Sequence, residues 1–369
     1  MNAPSPVQCD LAVIGAGPAG LTAANQAARL GARVALIDEN AKPGGQLFKQ
    51  IHKFFGSEEH QAGVRGFRIG EQLLAEAERL KIEVLLDTAV WGLFQGPEMG
   101  LVGKEGVKVC KAKRVIVSTG ATENPLAFPG WTLPGVMGAG AAQTMINVNR
   151  VLPGHRFLMV GSGNVGLIVS YQLLQAGAEV AAVVEGLPHV GGYHVHAAKL
   201  RRAGVPILTR HTIVRADGDS SIESVTVAEV DERWNPLPET ERTLAVDAIA
   251  LAVGLRPQSD LCWMMGCGFR HVPVLGGHVP VHDEDMRTTV RGLYVAGDAA
   301  GIEEASTAME EGRLAGIAAA ADLGFVYGPE LSDLKTATRQ RLKALRDGSY
   351  GDMRRQAKEE LISQWRAAQ

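Results

Sequence analysis

Cysteine is scarce in this sequence: only Cys9, Cys110, Cys262 and Cys267 occur among 369 residues. So few thiols do not form the disulfide framework of a small secreted protein, and they favour a reducing compartment such as the cytoplasm. Positive charge is not in excess either, because 37 lysines and arginines face 40 aspartates and glutamates, for a net charge of −3. Without a basic block the sequence gives little support to nucleic-acid binding.

Long apolar runs are also missing, and no segment reaches the length of a membrane span. The first residues, MNAPSPVQ, lack the basic region of a signal peptide and lead directly into an apolar strand. We therefore expect a soluble, cytoplasmic protein. An apolar content of 46% and a charged content of 21% are typical of globular chains, and the length suits two or three domains.

The most informative stretch is LAVIGAGPAGLTAANQAARLGARVALIDE, residues 11–39. It predicts a strand, a glycine turn, a helix and a second strand, in the order that binds a dinucleotide pyrophosphate at a helix N-terminus. In this pattern Gly15 permits the turn, Gly17 lets the backbone approach the phosphates, and Asp38 can bind a ribose diol. The candidate ligands of this first site are Gly15, Gly17, Pro18, Ala19, Gly20, Asp38 and Glu39.

The same unit occurs again 146 residues later, in FLMVGSGNVGLIVSYQLLQAGAEVAAVVE, residues 157–185. Two such folds in one chain predict two nucleotide sites, the arrangement that brings a flavin and a nicotinamide together. In the gapless overlay Glu185 stands opposite Glu39 rather than Asp38, so the ribose carboxylate is displaced by one position. Glu185 would repel a 2′-phosphate, which leaves NAD(H) or an adenine nucleotide such as ATP. The candidate ligands here are Gly161, Gly163, Asn164, Val165 and Glu185.

Three further turns are candidates for contact with a flavin. Gly45 and Gln46 lie in a flexible turn that could pass beside the cofactor or could be an ordinary loop. A buried strand ends at Thr119-Gly120; the residues alone predict only a strand and a turn there, and the flavin contact is implied by a resemblance to flavoproteins with two dinucleotide-binding domains. Another ends at Gly297-Asp298 before a helix near Ser306, where a carboxylate could bind sugar hydroxyls or simply cap the helix.

No residue is assigned as a catalytic acid or base. Glu303 and Glu304 are weak candidates, since exposed carboxylates at a helix start need no function. His189, His194 and His196 lack companions at metal-ligand spacing, and no metal site is expected.

Residues 9 to about 325 resemble the two-dinucleotide-domain flavoproteins, such as thioredoxin and glutathione reductase. The resemblance is carried by the motifs at Gly15–Gly20, Thr119-Gly120, Gly161–Gly166 and Gly297-Asp298. The resemblance implies FAD in the first domain and a nucleotide in the second. A dithiol relay needs a redox cysteine pair, but none follows Gly44-Gly45 or Thr119-Gly120. Cys262 and Cys267 are the only close pair, and we expect them to be buried and inert.

The segments GGQL, HKFFGS, PGWTLPGVMGAGAAQ and GLRPQSDL…GC look more specifically like the flavoprotein alpha subunits of amine and imino-acid dehydrogenases. That group includes opine oxidase, hydrogen cyanide synthase and hydroxyproline dehydrogenase, and similar segments occur in the large subunit of heterotetrameric sarcosine oxidase. The resemblance implies a flavoprotein beta subunit that oxidises the substrate. Many alpha subunits also carry a cysteine-rich iron–sulfur domain; here no cysteine follows Cys267, so a small iron–sulfur subunit is a further expected partner unless electrons leave by another route.

The expected fold is α/β, with two Rossmann-like dinucleotide-binding domains, the second inserted into the first, and a helical C-terminal tail. The expected bounds are 1–125 with 245–325 for the FAD domain, 136–244 for the second domain and 326–369 for the tail. The expected function is an FAD-dependent electron-transfer subunit of an amine, opine or imino-acid dehydrogenase. The alternatives are a free-standing NADH-dependent flavin oxidoreductase, which would reduce a quinone, ferredoxin or oxygen, and a scaffold subunit with structural nucleotides.

Overall fold

The computed structural model describes residues 6–54, 58–96, 98–348 and 351–367. Phe55, Gly56 and Ser57 of the HKFFGS segment lie outside this part of the chain. Contacts divide the chain into unit 1, drawn from residues 1–122 and 256–369, and unit 2, residues 123–255. The domain bounds expected from the sequence stay a prediction.

Unit 1 begins with two strands around a helix and ends its first segment in a meander. The elements are β1 (Val7–Ile14), α1 (Pro18–Arg29), β2 (Val34–Ile37), α2 (Gly66–Arg79), β3 (Glu83–Leu85), β4 (Thr88–Phe94), β5 (Glu98–Gly103), β6 (Gly106–Val117) and the connecting strand β7 (Ala121–Glu123).

Unit 2 repeats this plan. Its elements, with the second connecting strand, are β8 (Val136–Gly138), α3 (Ala139–Thr144), β9 (Arg156–Val160), α4 (Asn164–Gln175), β10 (Glu179–Glu185), α5 (His194–Arg202), β11 (Ile207–Thr209), β12 (His211–Asp217), β13 (Ser224–Glu229), β14 (Arg242–Ala245), β15 (Ala248–Leu251) and β16 (Leu255–Pro257).

The chain then completes unit 1. The remaining elements are α6 (Asp260–Met264), β17 (Phe269–Val272), β18 (Gly277–Pro280), β19 (Leu293–Val295), α7 (Ala305–Asp322), α8 (Gly328–Arg346) and α9 (Asp352–Ala367).

The two parallel sheets have the same strand order. In unit 1 the parallel part runs β3-β2-β1-β6-β19, and in unit 2 the order is β11-β10-β9-β15-β8. Each unit also has an antiparallel three-stranded meander, β4-β5-β6 or β12-β13-β14. The second half of β1, residues 11–14, and all of β2 are continuous apolar runs buried on both faces, as strands covered by helices must be. The expected α/β fold with two Rossmann-like sheets and a helical C-terminal segment is confirmed.

Helices α1 and α7 of unit 1 approach each other closely along two glycines. A Cβ atom on Gly312 would lie 2.1 Å from the carbonyl oxygen of Ala19, and one on Gly316 would lie 2.5 Å from that of Ala23. Both distances are shorter than any real contact, so only glycine allows this packing. The contact places the N-terminal half of α7 beside the start of α1.

Helices α8 and α9 contact the rest of unit 1 through buried ion pairs as well as through apolar side chains, such as Leu361 of α9, which packs with Leu275 and Val279. Arg346 of α8 and Lys358 of α9 both contact the carboxylate of Glu311 in α7. Within the described ranges, no helix is both long and apolar enough to cross a membrane.

The packing of α1 on α7 makes a prediction about two glycines. Gly312→Ala should lower the free energy of unfolding by about 1–3 kcal/mol, because the added methyl group overlaps the Ala19 carbonyl. Gly70→Ala in α2 is the matched control, since its added Cβ would lie 3.6 Å or more from its neighbours. Urea unfolding followed by circular dichroism should show the control within about 1 kcal/mol of the native chain. Equal effects of the two substitutions would contradict this account of the packing.

Candidate functional site

The first glycine turn joins the end of β1 to the start of α1. Gly15 has a φ of +100°, and its amide donates to the Ile37 carbonyl at 2.7 Å. Gly17 is the N-cap of α1, and an added Cβ there would meet nothing within 4 Å. The first turn of α1 carries no acidic side chain to offset its positive end. An open backbone surface at a helix N-terminus fits a pyrophosphate.

The carboxylate of Asp38 holds this turn from the end of β2. One oxygen accepts the Ala16 amide at 2.6 Å, and the other accepts the Asn40 amide at 2.8 Å. Asp38 is buried, whereas its neighbour Glu39 is exposed. A carboxylate bound to backbone amides is preorganised, and it retains lone pairs for ribose hydroxyls.

A cleft of about 200 Å³ extends from the turn along the ends of the strands. Gly15, Asp38, Glu39 and Thr119 line it, so candidates from three separate segments meet at one place. Leu261 and Met264 of α6 line the same cleft and were missed by the sequence analysis, because nothing in their local pattern signals a ligand. The cleft lies at the carboxyl ends of parallel strands, where α/β sheets bind nucleotides.

The Gly44-Gly45 segment lies against the first turn. The Gly44 amide donates to the Ala16 carbonyl at 2.6 Å, and a Cβ on Gly45 would lie 3.0 Å from the Cα of Gly17. Gln46 follows in a short 3-10 helix, Gly45–Lys49. Gly120 follows Thr119, whose hydroxyl donates to the Gln258 carbonyl.

Gly297-Asp298 also lies beside this turn. A Cβ on Gly297 would lie 2.8 Å from that of Ala19, so the two segments touch. Burial, with further effects of nearby carboxylates that include Glu311, raises the pKa of Asp298 to about 7. A carboxyl group with this pKa can donate as well as accept near neutral pH, which suits it to sugar hydroxyls.

The second turn has the same hydrogen bonds, with one change in register. Gly161 has a φ of +102°, and Gly163 is open like Gly17. The Gly161 amide donates to the Val184 carbonyl at 2.7 Å, so Val184 takes the place that Ile37 has in unit 1. The pairing of β10 with β9 shifts by one residue between Val180 and Ala182. This bulge absorbs one residue, which the gapless overlay could not show.

Glu185 therefore occupies the position of Asp38, and the expected displacement of the carboxylate by one position is wrong. One oxygen of Glu185 accepts the Ser162 amide at 2.9 Å, and the other accepts the Leu187 amide at 2.9 Å. These bonds repeat those that Asp38 makes with Ala16 and Asn40.

Unit 2 also has a pair of glycines beside its glycine turn. Gly191-Gly192 lies beside Gly163, and the Gly192 amide donates to the Ser162 carbonyl at 2.8 Å. This bond matches the one that the Gly44 amide makes with the Ala16 carbonyl in unit 1, so Gly192 takes the place of Gly44. The sequence analysis missed it, although the repeated Gly-Gly was a visible signal. Asn164 accepts the Tyr193 amide, and Val165 lies exposed in the first turn of α4.

Of the two weak acid–base candidates, one has surroundings that differ from those expected. The side chain of Glu303 is only 6% exposed and pairs with Arg346, so its assignment as an exposed carboxylate is wrong. Glu304 is exposed as expected. Among the described residues, no group of three or more His, Cys, Asp or Glu side chains is arranged to hold a metal ion.

Two glycine turns, each closed by a carboxylate bound to backbone amides and each opening at a helix N-terminus, define a protein with two dinucleotide-binding folds. The family model for pyridine nucleotide-disulphide oxidoreductases matches residues 9–312. The chain belongs to this family, and it is an FAD-dependent oxidoreductase.

Relatives with known names agree with the resemblance seen in the sequence. The opine oxidase A subunit of Agrobacterium tumefaciens is 32% identical over 362 residues, which cover 93% of this chain and 72% of that one. Hydrogen cyanide synthase subunit HcnB of Pseudomonas aeruginosa is 28% identical, over 90% of this chain and 75% of its own. The structure of L-proline dehydrogenase from P. horikoshii shares the fold, with a TM-score of 0.70, 24% identity and coverage of 92% of this chain and 59% of that one.

The two open glycines provide a matched pair of substitutions. We expect Gly17→Val to remove most bound FAD without unfolding the chain, because the new side chain would fill only the space above the turn. Gly163→Val makes the same change in unit 2 and should leave the FAD content unchanged. Flavin absorbance per chain, with circular dichroism as the check on folding, measures both. Loss of FAD from the second variant and not the first would reverse the assignment of the two sites.

Proposed function

We propose that this protein is the FAD-containing electron-transfer subunit of a multi-subunit dehydrogenase for an amine, opine or imino acid. FAD would bind in unit 1 at the first glycine turn, with the ligands predicted from the sequence. Another flavoprotein subunit would oxidise the substrate, and a small iron–sulfur subunit is a further partner of the proposed complex.

The observation that carries the proposal is the location of the four cysteines. Cys9 lies near the start of β1 and Cys110 within β6, whereas the turns of unit 1 follow the ends of these strands. Cys262 and Cys267 are buried in the core, as expected. Their mutual hydrogen bond together with burial raises the pKa of the Cys262 thiol, while the same hydrogen bond lowers the pKa of Cys267. A buried thiol with a raised pKa is a poor nucleophile. These positions do not suit a dithiol relay, which argues against a disulfide reductase.

The relatives supply the second support. The A subunit of opine oxidase and the HcnB subunit of hydrogen cyanide synthase are, by name, parts of larger enzymes, and this chain matches most of each. A chain that resembles subunits along nearly its whole length is expected to work with a partner. The substrate class in the proposal, a compound with an oxidisable C–N bond, comes from the same resemblance.

The second glycine turn favours one other candidate, a free-standing NADH-dependent flavin oxidoreductase. Gly163 is open, and Glu185 is held by the Ser162 and Leu187 amides in the position of a ribose-binding carboxylate. The site therefore has the features needed for NAD(H), and equally for another adenine nucleotide such as ATP. A negative side chain at this point disfavours the 2′-phosphate of NADP.

An anaerobic titration separates the two candidates. The purified chain, loaded with FAD, is mixed first with NADH and then with proline, hydroxyproline and opines while the flavin absorbance band is followed. We expect no bleaching until the partner flavoprotein is added, because the oxidising site for the C–N bond is on that subunit. Gly163→Val, which alters only the second turn, is the control for any effect of NADH.

Rapid bleaching by NADH alone, abolished in Gly163→Val, would contradict the subunit proposal and establish the free-standing reductase. Bleaching by an amino or imino acid without a partner would place substrate oxidation on this chain.

A further inference from the structure

The turn Gly297–Ala300, here called the flavin loop, is fixed at its two ends by side chains of α7 and α9. Its first amide, on Gly297, donates to Oε2 of Glu311 at 3.0 Å. Its last carbonyl, on Ala300, accepts from Nζ of Lys358 at 2.9 Å. Lys358 also donates to Oε1 of Glu311 at 2.9 Å, so one buried pair binds both ends of the loop.

Lys358 comes from α9, in a part of the chain that the family model does not match. The model ends at residue 312, and α9 spans Asp352–Ala367. Lys358 is nevertheless only 1% exposed, and it is the most buried lysine among the described residues. A lysine this deep persists only when each of its donors is matched by an acceptor.

Two N–H groups of the Lys358 ammonium bind Ala300 and Glu311, and the third is directed at His282. Nζ lies 3.4 Å from Nε2 of His282, whose Nδ1 lies 2.8 Å from the Asp283 carbonyl. Burial, with the nearby charge of Lys358, lowers the pKa of His282 to about 3. The ring is therefore neutral, with Nδ1 donating to the carbonyl and Nε2 accepting from Lys358. All three ammonium hydrogens then have acceptors.

The tail also sets the charge beside the loop. Arg346 of α8 pairs with both Glu303 and Glu311, and Lys358 pairs with Glu311. Although burial acts to raise it, these cations hold the pKa of Glu311 below its usual range. Without Lys358, the buried carboxylate of Glu311 would keep only Arg346 as a cationic partner. An extra unbalanced negative charge next to a flavin disfavours the state that carries an added electron.

We propose that Lys358 is a positioning residue for the flavin, acting through the flavin loop, so that FAD affinity and midpoint potential depend on the C-terminal helix. The inference rests on FAD binding at the flavin loop, as predicted for Asp298. It goes beyond the subunit proposal, because it holds for a free-standing reductase as well.

The test compares K358M with E311Q in the full chain loaded with FAD. Methionine keeps the length of Lys358 without charge, and we expect the FAD dissociation constant to rise by roughly tenfold or more through loss of charged hydrogen bonds. The midpoint potential should become more negative in K358M. In E311Q, where a negative charge is removed and both cations remain, it should become more positive.

The control is R366Q on the same helix. Arg366 is 63% exposed and pairs only at the surface with Glu284, so its loss should change neither affinity nor potential. Opposite shifts in K358M and E311Q support the inference, since general loosening of the fold would move both potentials the same way. Unchanged affinity and potential in K358M, or shifts of one sign in both variants, would overturn it. If K358M does not fold, the sign of the E311Q shift decides.

Failure of this inference is distinguishable from failure of the FAD assignment. If Gly17→Val kept its FAD, the cofactor would lie elsewhere and the flavin loop would have no role. If Gly17→Val lost FAD while K358M behaved as R366Q, only the role of the tail would fail.

Discussion

In each unit a carboxylate at the end of a strand accepts a hydrogen bond from the amide that follows the first glycine of the turn. Asp38 binds Ala16 in this way, and Glu185 binds Ser162. Backbone amides that a tight turn leaves without secondary-structure partners need acceptors, and these carboxylates provide them from the next strand. The bond fixes the turn relative to both strands, and the open helix N-terminus next to it follows from that geometry. Without it, neither turn would be preorganised for a phosphate.

Much of the fold and of the candidate site could be predicted because the decisive signals are local. The order of strand, glycine turn, helix and carboxylate in residues 11–39 specifies one supersecondary unit, and its repeat specifies a second. The missed features depend on partners distant in sequence. The bulge in β10 arises from pairing with β9, so a gapless overlay placed Glu185 one position out. The close packing at Gly312 requires α1 as well as α7.

The C-terminal helices α8 and α9 show even more clearly that local sequence does not predict contacts between distant residues. Their helical spacing predicted helices, but Lys358 and Glu311 are 47 residues apart in sequence and nothing local joins them. Local sequence predicts an exposed Glu303 for the same reason, since its partner Arg346 lies on another helix. Buried ion pairs of this kind are costly to form and costly to break. Their position, around one loop of the predicted flavin site, adds a polar connection between the tail and that loop to the apolar contacts of Leu361.

The central claim is that the two units, although built on one plan, bind different nucleotides and only the first binds FAD. The most direct measurement is the stoichiometry of FAD in the wild-type chain, from the absorbance of flavin released by heating against the protein concentration after saturation with FAD. The account predicts one FAD per chain. A value of two would show that the units are equivalent, and a value of zero would show that the first turn does not hold a flavin.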